Sequence, residues 1–233
     1  MKNVFIETSN VSTFRSAIRK VEDTEKGQPG LVVAHGRAGR GKTMAALNYH
    51  AVHGGIYLRA WERWTQTAFL QALCFEVCGM RPRSANNCKR KIMEMLDKEI
   101  QTVFIDEADR LNIGRIEDLR DIHDETGAPI VIIGEEELQG LLGERRRIWS
   151  RVTQDVVFGP VIDEDVALFG LDAAGLDIEA FACQQIVKKA DGDFRLVRNI
   201  IQVLEQVAIA RETNLVTTSM VEDVLRQRKW GHK

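Results

Sequence analysis

An apolar run over residues 31–34 leads into Gly36-Arg37-Ala38-Gly39-Arg40-Gly41-Lys42-Thr43, and a helical-looking stretch over 44–50 follows. This is the Gly-x4-Gly-Lys-Thr phosphate loop in the strand, loop and helix setting that it requires, and it commits the chain to an α/β sheet that receives a nucleotide. Its glycines let successive backbone N–H groups turn inward around a polyphosphate, and the following helix adds the positive end of its dipole. The expected cradle is Gly36, Arg37, Ala38, Gly39, Arg40, Gly41, Lys42, Thr43 and Met44. Lys42 would set a point charge on the β- and γ-phosphates, and the Thr43 hydroxyl would take a Mg²⁺ coordination position.

The second constraint is Thr102-Val103-Phe104-Ile105-Asp106-Glu107, a buried-looking strand that delivers two carboxylates at its C-terminal end, the edge where ligands sit in an open α/β sheet. Asp106 is expected to hold Mg²⁺ through its water shell, and Glu107 to orient and polarise the water that attacks the γ-phosphate. Residues 106–109 also spell Asp-Glu-Ala-Asp. A helicase of that kind needs a second sheet domain with its own arginine motifs, whereas the rest of this chain reads as helical.

At 233 residues the chain suits a nucleotide-binding core over 1–160 and a small helical lid over 161–233, with no room for a separate domain ahead of the loop. A formal net charge of -2 carries no global basic signal, so nucleic-acid binding would need a local patch. No apolar run approaches the roughly 20 residues that cross a bilayer, and the start is too short and polar for a secretory signal, which points to a cytoplasm. Four cysteines, Cys74, Cys78, Cys88 and Cys183, suit a reducing compartment. They complete no zinc set and are expected as packing or surface thiols.

Ahead of the phosphate loop, Phe14, Ala17, Ile18 and Val21 recur at helical spacing within a helix expected over 10–26, ended by Gly27-Gln28-Pro29-Gly30. This lead-in would either approach a base or cap the sheet edge. Residues 55–59 read as a strand and 65–78 as a helix burying Phe69, Leu70, Leu73 and Val77. Between them stands Ala60-Trp61-Glu62-Arg63-Trp64, two indoles flanking a guanidinium. It reads equally as a stacking surface for nucleic acid, with Arg59, Trp61 and Arg63 as contacts, and as tryptophans packed into the core. Arg81 and Arg83, and then Lys89, Arg90 and Lys91, add positive charge, which on a helix is also what a solvated face looks like.

A helix over 115–126 leads into a strand over 130–134, followed by Glu135, an arginine cluster Arg145, Arg146, Arg147 and Arg151, and a last strand near 155–158. An arginine placed just before that strand can reach a γ-phosphate held by a neighbouring subunit. The plainer reading is a solvated basic face. Beyond Gly159-Pro160 the pattern turns helical, over 163–169, 177–189, 193–211 and 219–228, with Ser219-x-x-Glu222 as a capping box. Phe194, Val197, Ile201, Leu204 and Ala208 form one apolar stripe for bundling. Arg195, in Gly192-Asp193-Phe194-Arg195, would swing onto the phosphates in its own subunit.

With these motifs in order, the chain resembles an AAA+ ATPase over nearly its whole length. That resemblance implies a P-loop parallel five-stranded sheet of order 5-1-4-3-2 flanked by helices, a small C-terminal helical lid, and ATP sites shared between subunits of a ring or helix. Residues 103–111, Val-Phe-Ile-Asp-Glu-Ala-Asp-Arg-Leu, and 129–135, Pro-Ile-Val-Ile-Ile-Gly-Glu, are similar to the target-selecting ATPases of Mu-like phages and bacterial transposons. Their motifs are shared with secretion-associated and replication-initiator relatives. This likeness implies an ATP- and Mg²⁺-dependent protein that coats double-stranded DNA without sequence preference as a homo-oligomer, recruits a transposase and hydrolyses ATP under stimulation by both. Two departures matter: a helix-turn-helix domain of the phage protein has no room here, and Gly134-Glu135 stands where relatives carry a polar sensor, a role that falls to Glu135. An ATP-switch adaptor without DNA contact, and a helicase loader or secretion-associated ATPase, are the alternatives on the same core.

Overall fold

A computed structural model describes residues 1–23, 28–227 and 230, with Gln227 by its backbone alone. The chain divides into two compact units, one of Asn10–Arg37 with Lys42–Phe158, the other of Met1–Ser9, Ala38–Gly41 and Gly159–Lys233.

The first unit runs through α1 (Ser9–Glu22), β1 (Leu31–His35), α2 (Lys42–His53), β2 (Ile56–Arg59), α3 (Gln66–Cys78), α4 (Ala85–Lys98), β3 (Val103–Asp106), α5 (Ile113–Thr126), β4 (Ile130–Ile133), α6 (Glu137–Gly143), α7 (Arg146–Trp149) and β5 (Val152–Val157). Its strands form one parallel sheet in the order β2-β3-β4-β1-β5, as the resemblance implied. Every residue of β1, β3 and β4 is buried. A parallel sheet covered on both faces demands this, and it is why these segments read as unbroken apolar runs. The register aligns Leu58, Ile105, Ile132 and Val33 in one row across four strands, all within the main apolar core. Burial of each such side chain contributes about 1.5–3 kcal/mol. Parallel register also carries Arg59, Asp106, Ile133 and His35 to the same sheet edge.

Local chemistry sets the helix ends. Thr65 Oγ1 accepts from the Ala68 amide at 3.2 Å and Ser84 Oγ from the Asn87 amide at 3.2 Å, while Gly79 (φ 70°) and Gly127 (φ 76°) close α3 and α5 in the left-handed conformation that glycine adopts without strain. Residues 89–91 lie in mid-helix rather than at a helix start, because Ser84 caps α4 five residues earlier. The first helix ends at Glu22, and the break expected at Gly27, with the helix end at 24–26, lies outside the described residues. Cys74 Sγ stands 3.8 Å from Cys78 Sγ, and all four cysteines are free thiols.

The second unit holds α8 (Asp163–Ala174), β6 (Asp177–Ile178), α9 (Ala180–Ala190), α10 (Phe194–Ala210), β7 (Leu215–Val216) and α11 (Thr218–Gln227), with Ile6 joining their shared apolar core. Val197, Ile201, Leu204 and Ala208 are buried as the stripe required, and Phe194 packs half-buried beside them. Two local expectations are corrected. The helix expected from 177 starts at Ala180, because Asp177 and Ile178 pair in parallel with Leu215 and Val216. The cap expected at Ser219 falls to Thr217, whose hydroxyl oxygen accepts from the Met220 amide at 3.4 Å, and Glu222 Oε1 instead accepts from Gln185. Among the described residues no helix is long and apolar enough to cross a membrane.

Candidate functional site

The site assembles where β1, β2, β3 and β4 end. Gly36 leaves β1 at φ 145°, and a Cβ there would come within 2.5 Å of the Phe158 carbonyl oxygen, so only glycine fits both the torsion and the space. Gly36→Ala is expected to cost about 2–3 kcal/mol of stability, read as a lowered urea midpoint with unchanged slope. From the first turn of α2, Lys42 Nζ donates to the carbonyls of Gly36 at 2.5 Å and Arg37 at 2.9 Å. Desolvation holds the Lys42 pKa below its ordinary value, against the pull of Glu135, Asp106, Asp109 and Glu107. One half-buried ammonium thus faces four carboxylates, an excess of negative charge that a divalent cation accompanying a polyphosphate would offset.

Asp106 is buried and fully engaged. Its Oδ2 accepts from Thr43 Oγ1 at 2.9 Å and from the Tyr57 hydroxyl at 2.7 Å, and its Oδ1 accepts from the Glu107 amide at 2.9 Å. Burial, followed by the bond to and the charge of Asp106, pushes the Tyr57 pKa up, so the phenol remains a donor. Glu107 sits in the left-handed region (φ 57°, ψ 37°), a strained conformation for a non-glycine residue. Its two oxygens are held by separate guanidiniums, Oε1 by Arg59 at 2.6 Å and Oε2 by Arg110 at 3.0 Å. Asp109 Oδ1 accepts from the Glu135 amide at 3.1 Å, which fixes the turn after β4 beside the same edge.

In the second unit, the loop tip Ala38–Gly41 meets the start of α10. The Phe194 amide donates to the Gly39 carbonyl at 2.9 Å, and the Asp193 carboxylate fills the space into which a Gly39 side chain would project. Arg40 lies over Gly192 with its Nη1 buried. Arg195, in the first turn of α10, is exposed, as are Arg37, Ala38 and Met44.

A model of the AAA domain family matches residues 24–142, more than half of the chain. The chain belongs to the AAA domain family. As an AAA domain it is an ATPase, and family membership brings ATP and Mg²⁺ as its ligands. The site fits the metal: Thr43 and Asp106 offer hard oxygen donors side by side, the set preferred by a cation that takes its remaining ligands from phosphate and water. The chain is 26% identical over 235 aligned positions to the ATP-dependent target DNA activator B of Escherichia phage Mu, covering 96% of this chain and 72% of that protein. It is 25% identical over 205 positions to the Mu-like prophage FluMu DNA transposition protein B of Haemophilus influenzae, covering 83% and 70%. Among solved structures, Cdc6p from Pyrobaculum aerophilum superposes with a TM-score of 0.68 at 16% identity over 96% of this chain and 67% of that one, a likeness of fold alone.

Other residues singled out in the sequence lie elsewhere in this AAA domain. Arg59 is bound to Glu107 rather than free for a ligand. Lys89 pairs with Asp118 at 3.2 Å and Asp121 at 2.6 Å, tying α4 to α5, while Arg90 and Lys91 approach Glu94 on their own helix. Trp61 is 65% exposed and stacks on the half-buried Trp64, with centroids 6.0 Å apart and planes 15° from parallel, so one indole is exposed while the other packs against the core. Arg63, at φ 63°, is exposed between them. Arg151 is held bidentately by Asp124 at 3.0 and 3.2 Å, at the sheet edge opposite the phosphate loop. Arg145, Arg146 and Arg147 are exposed, with no carboxylate partner among the described residues. Sequence reasoning missed Tyr57, Asp109 and Arg110. The i, i+2 spacing of Tyr57 and Arg59, which puts both on one face of β2, was the available signal for the first of these.

Proposed function

We propose that this AAA domain binds double-stranded DNA without sequence preference as an ATP-dependent homo-oligomer, in a bacterial or phage-infected cytoplasm, and delivers that DNA to a transposase. What carries the reading is its likeness over 96% of the chain to a phage target DNA activator, joined to a site equipped for ATP. Residues 1–160 would form the nucleotide core and 161–233 the lid, with Arg195 as the lid's phosphate contact.

In this reading Lys42 and the loop amides bind the polyphosphate, Thr43 and Asp106 hold Mg²⁺, Glu107 positions the attacking water, and Glu135 reports on the γ-phosphate. Bound Mg²⁺ would offset charge on the phosphate oxygens. Each Glu107 oxygen is held by one guanidinium, which leaves a lone pair on each to accept from water. Arg145, Arg146 and Arg147, whose side chains have no carboxylate partner among the described residues, are the candidates to reach a neighbouring protomer's γ-phosphate; Arg151, held by Asp124, is the weaker one. ATP at such a boundary favours assembly, and hydrolysis weakens it.

For DNA, Trp61 and Arg63 are better placed than Arg59, Lys89, Arg90 or Lys91, whose charges have acidic neighbours. Arg63→Ala should weaken binding uniformly across sequences and lower the slope of log affinity against log salt by about 0.9, the change for one phosphate contact. The decisive experiment is duplex-DNA filter binding with a slowly hydrolysed ATP analogue, with parallel electron microscopy. Analogue-dependent retention together with filaments or rings is expected. Nucleotide binding without retention of DNA would sink the DNA reading and favour an adaptor that switches on ATP.

A further inference from the structure

We infer that Tyr57 is a positioning residue for Mg²⁺: its phenol orients the Asp106 carboxylate, and so sets the protein's affinity for the metal rather than for the nucleotide. The inference rests on the nucleotide site proposed above. It begins with the sheet, where β2 pairs with β3 in a register that sets Tyr57 beside Phe104 and Arg59 beside Asp106. Residues two apart on a strand share a face, so β2 presents a phenol and a guanidinium to the two acids that end β3. Arg59 takes Glu107 and Tyr57 takes Asp106.

The two hydroxyls on Asp106 Oδ2 are not equivalent. Thr43, at 2.9 Å, sits in the first turn of α2 and is the residue whose hydroxyl would turn to the cation. Tyr57, at 2.7 Å, comes from a sheet strand, is half-buried, and has no phosphate or metal to turn to. When Thr43 leaves Oδ2, Tyr57 remains, and with the Glu107 amide on Oδ1 it holds the carboxylate plane fixed at both ends. Without the phenol the carboxylate is tethered by one oxygen and free to rotate about its last torsion. Partners that orient metal-holding groups typically change metal affinity by about 10–100-fold when removed, and an Asp that acts through water belongs at the lower end, about tenfold.

The test is the Mg²⁺ dependence of fluorescent-nucleotide binding to the full chain. Tyr57→Phe, which removes one oxygen and keeps the ring, should bind nucleotide in EDTA as the unmodified protein does and require about tenfold more Mg²⁺ for half-saturation. Superimposable Mg²⁺ titrations would overturn the inference, as would an equal loss of affinity with and without Mg²⁺, the mark of a structural role. Protein that binds no nucleotide at all would instead overturn the proposed site. A second measurement needs no variant: the chain has two tyrosines, and Tyr49 donates to Glu22 at 2.6 Å rather than to Asp106. With 3-fluorotyrosine incorporated, adding Mg²⁺ to the nucleotide complex should move the Tyr57 fluorine resonance and leave that of Tyr49 in place. A Tyr57 resonance that stays still would equally overturn the inference.

Discussion

Glu107→Gln will retain ATP and stay assembled while its hydrolysis rate falls by about 10²–10⁴-fold, the usual contribution of a positioned general base. The substitution keeps the shape, turns one acceptor oxygen into an amide donor and removes the charge that would polarise a water. In the free protein that charge is committed to Arg59 and Arg110. Both pairs are at least partly exposed, so losing them should alter stability by less than about 1 kcal/mol. Single-turnover hydrolysis measured beside nucleotide retention separates the two effects. Hydrolysis at the unmodified rate would remove Glu107 from the water-positioning role.

Lys42→Ala will lose nucleotide affinity by about 10²–10⁴-fold, the equivalent of two charge-assisted hydrogen bonds at about 1.5–3 kcal/mol each. In the free protein the Lys42 ammonium is partly stripped of water and leans on two loop carbonyls, at 2.5 and 2.9 Å, bonds that it would exchange for phosphate oxygens. Alanine should leave the protein folded by circular dichroism, because the loop's shape comes from its glycines and from Phe158 rather than from this side chain. Equilibrium titration with a fluorescent nucleotide measures the loss. Near-normal affinity would mean that the loop amides alone hold the ligand.

What could be read from the sequence was what depends on residues close together along the chain. The glycine spacing of the loop, the acids ending an apolar strand and the buried runs of β1, β3 and β4 each carry their meaning within a few positions. What escaped depends on lateral neighbours. The contacts of Tyr57 and Arg59 follow from the β2–β3 register, which no local pattern encodes, and so the Arg59–Glu107 ion pair had no signature in the sequence. The pairing of Lys89 escaped for the same reason, since the buried Asp118 that it meets lies on another helix. The two-residue pairing of β6 with β7 is too short to leave an alternating signature, and the helical pattern around it absorbed its residues.

The parallel course of the sheet has a further consequence. The Lys42 cradle follows the end of β1, whereas the exposed arginines of α7 come just before β5 enters the sheet beside Leu31, at the other end of the same strand. If copies join arginine to cradle by one repeated heterologous contact, they would either close into a ring or extend as an open array with an unfilled cradle at one terminus and bare guanidiniums at the other. An open array of that kind would have direction: its two tips would differ chemically, so growth, shrinkage and attachment of any other protein could each be confined to one of them.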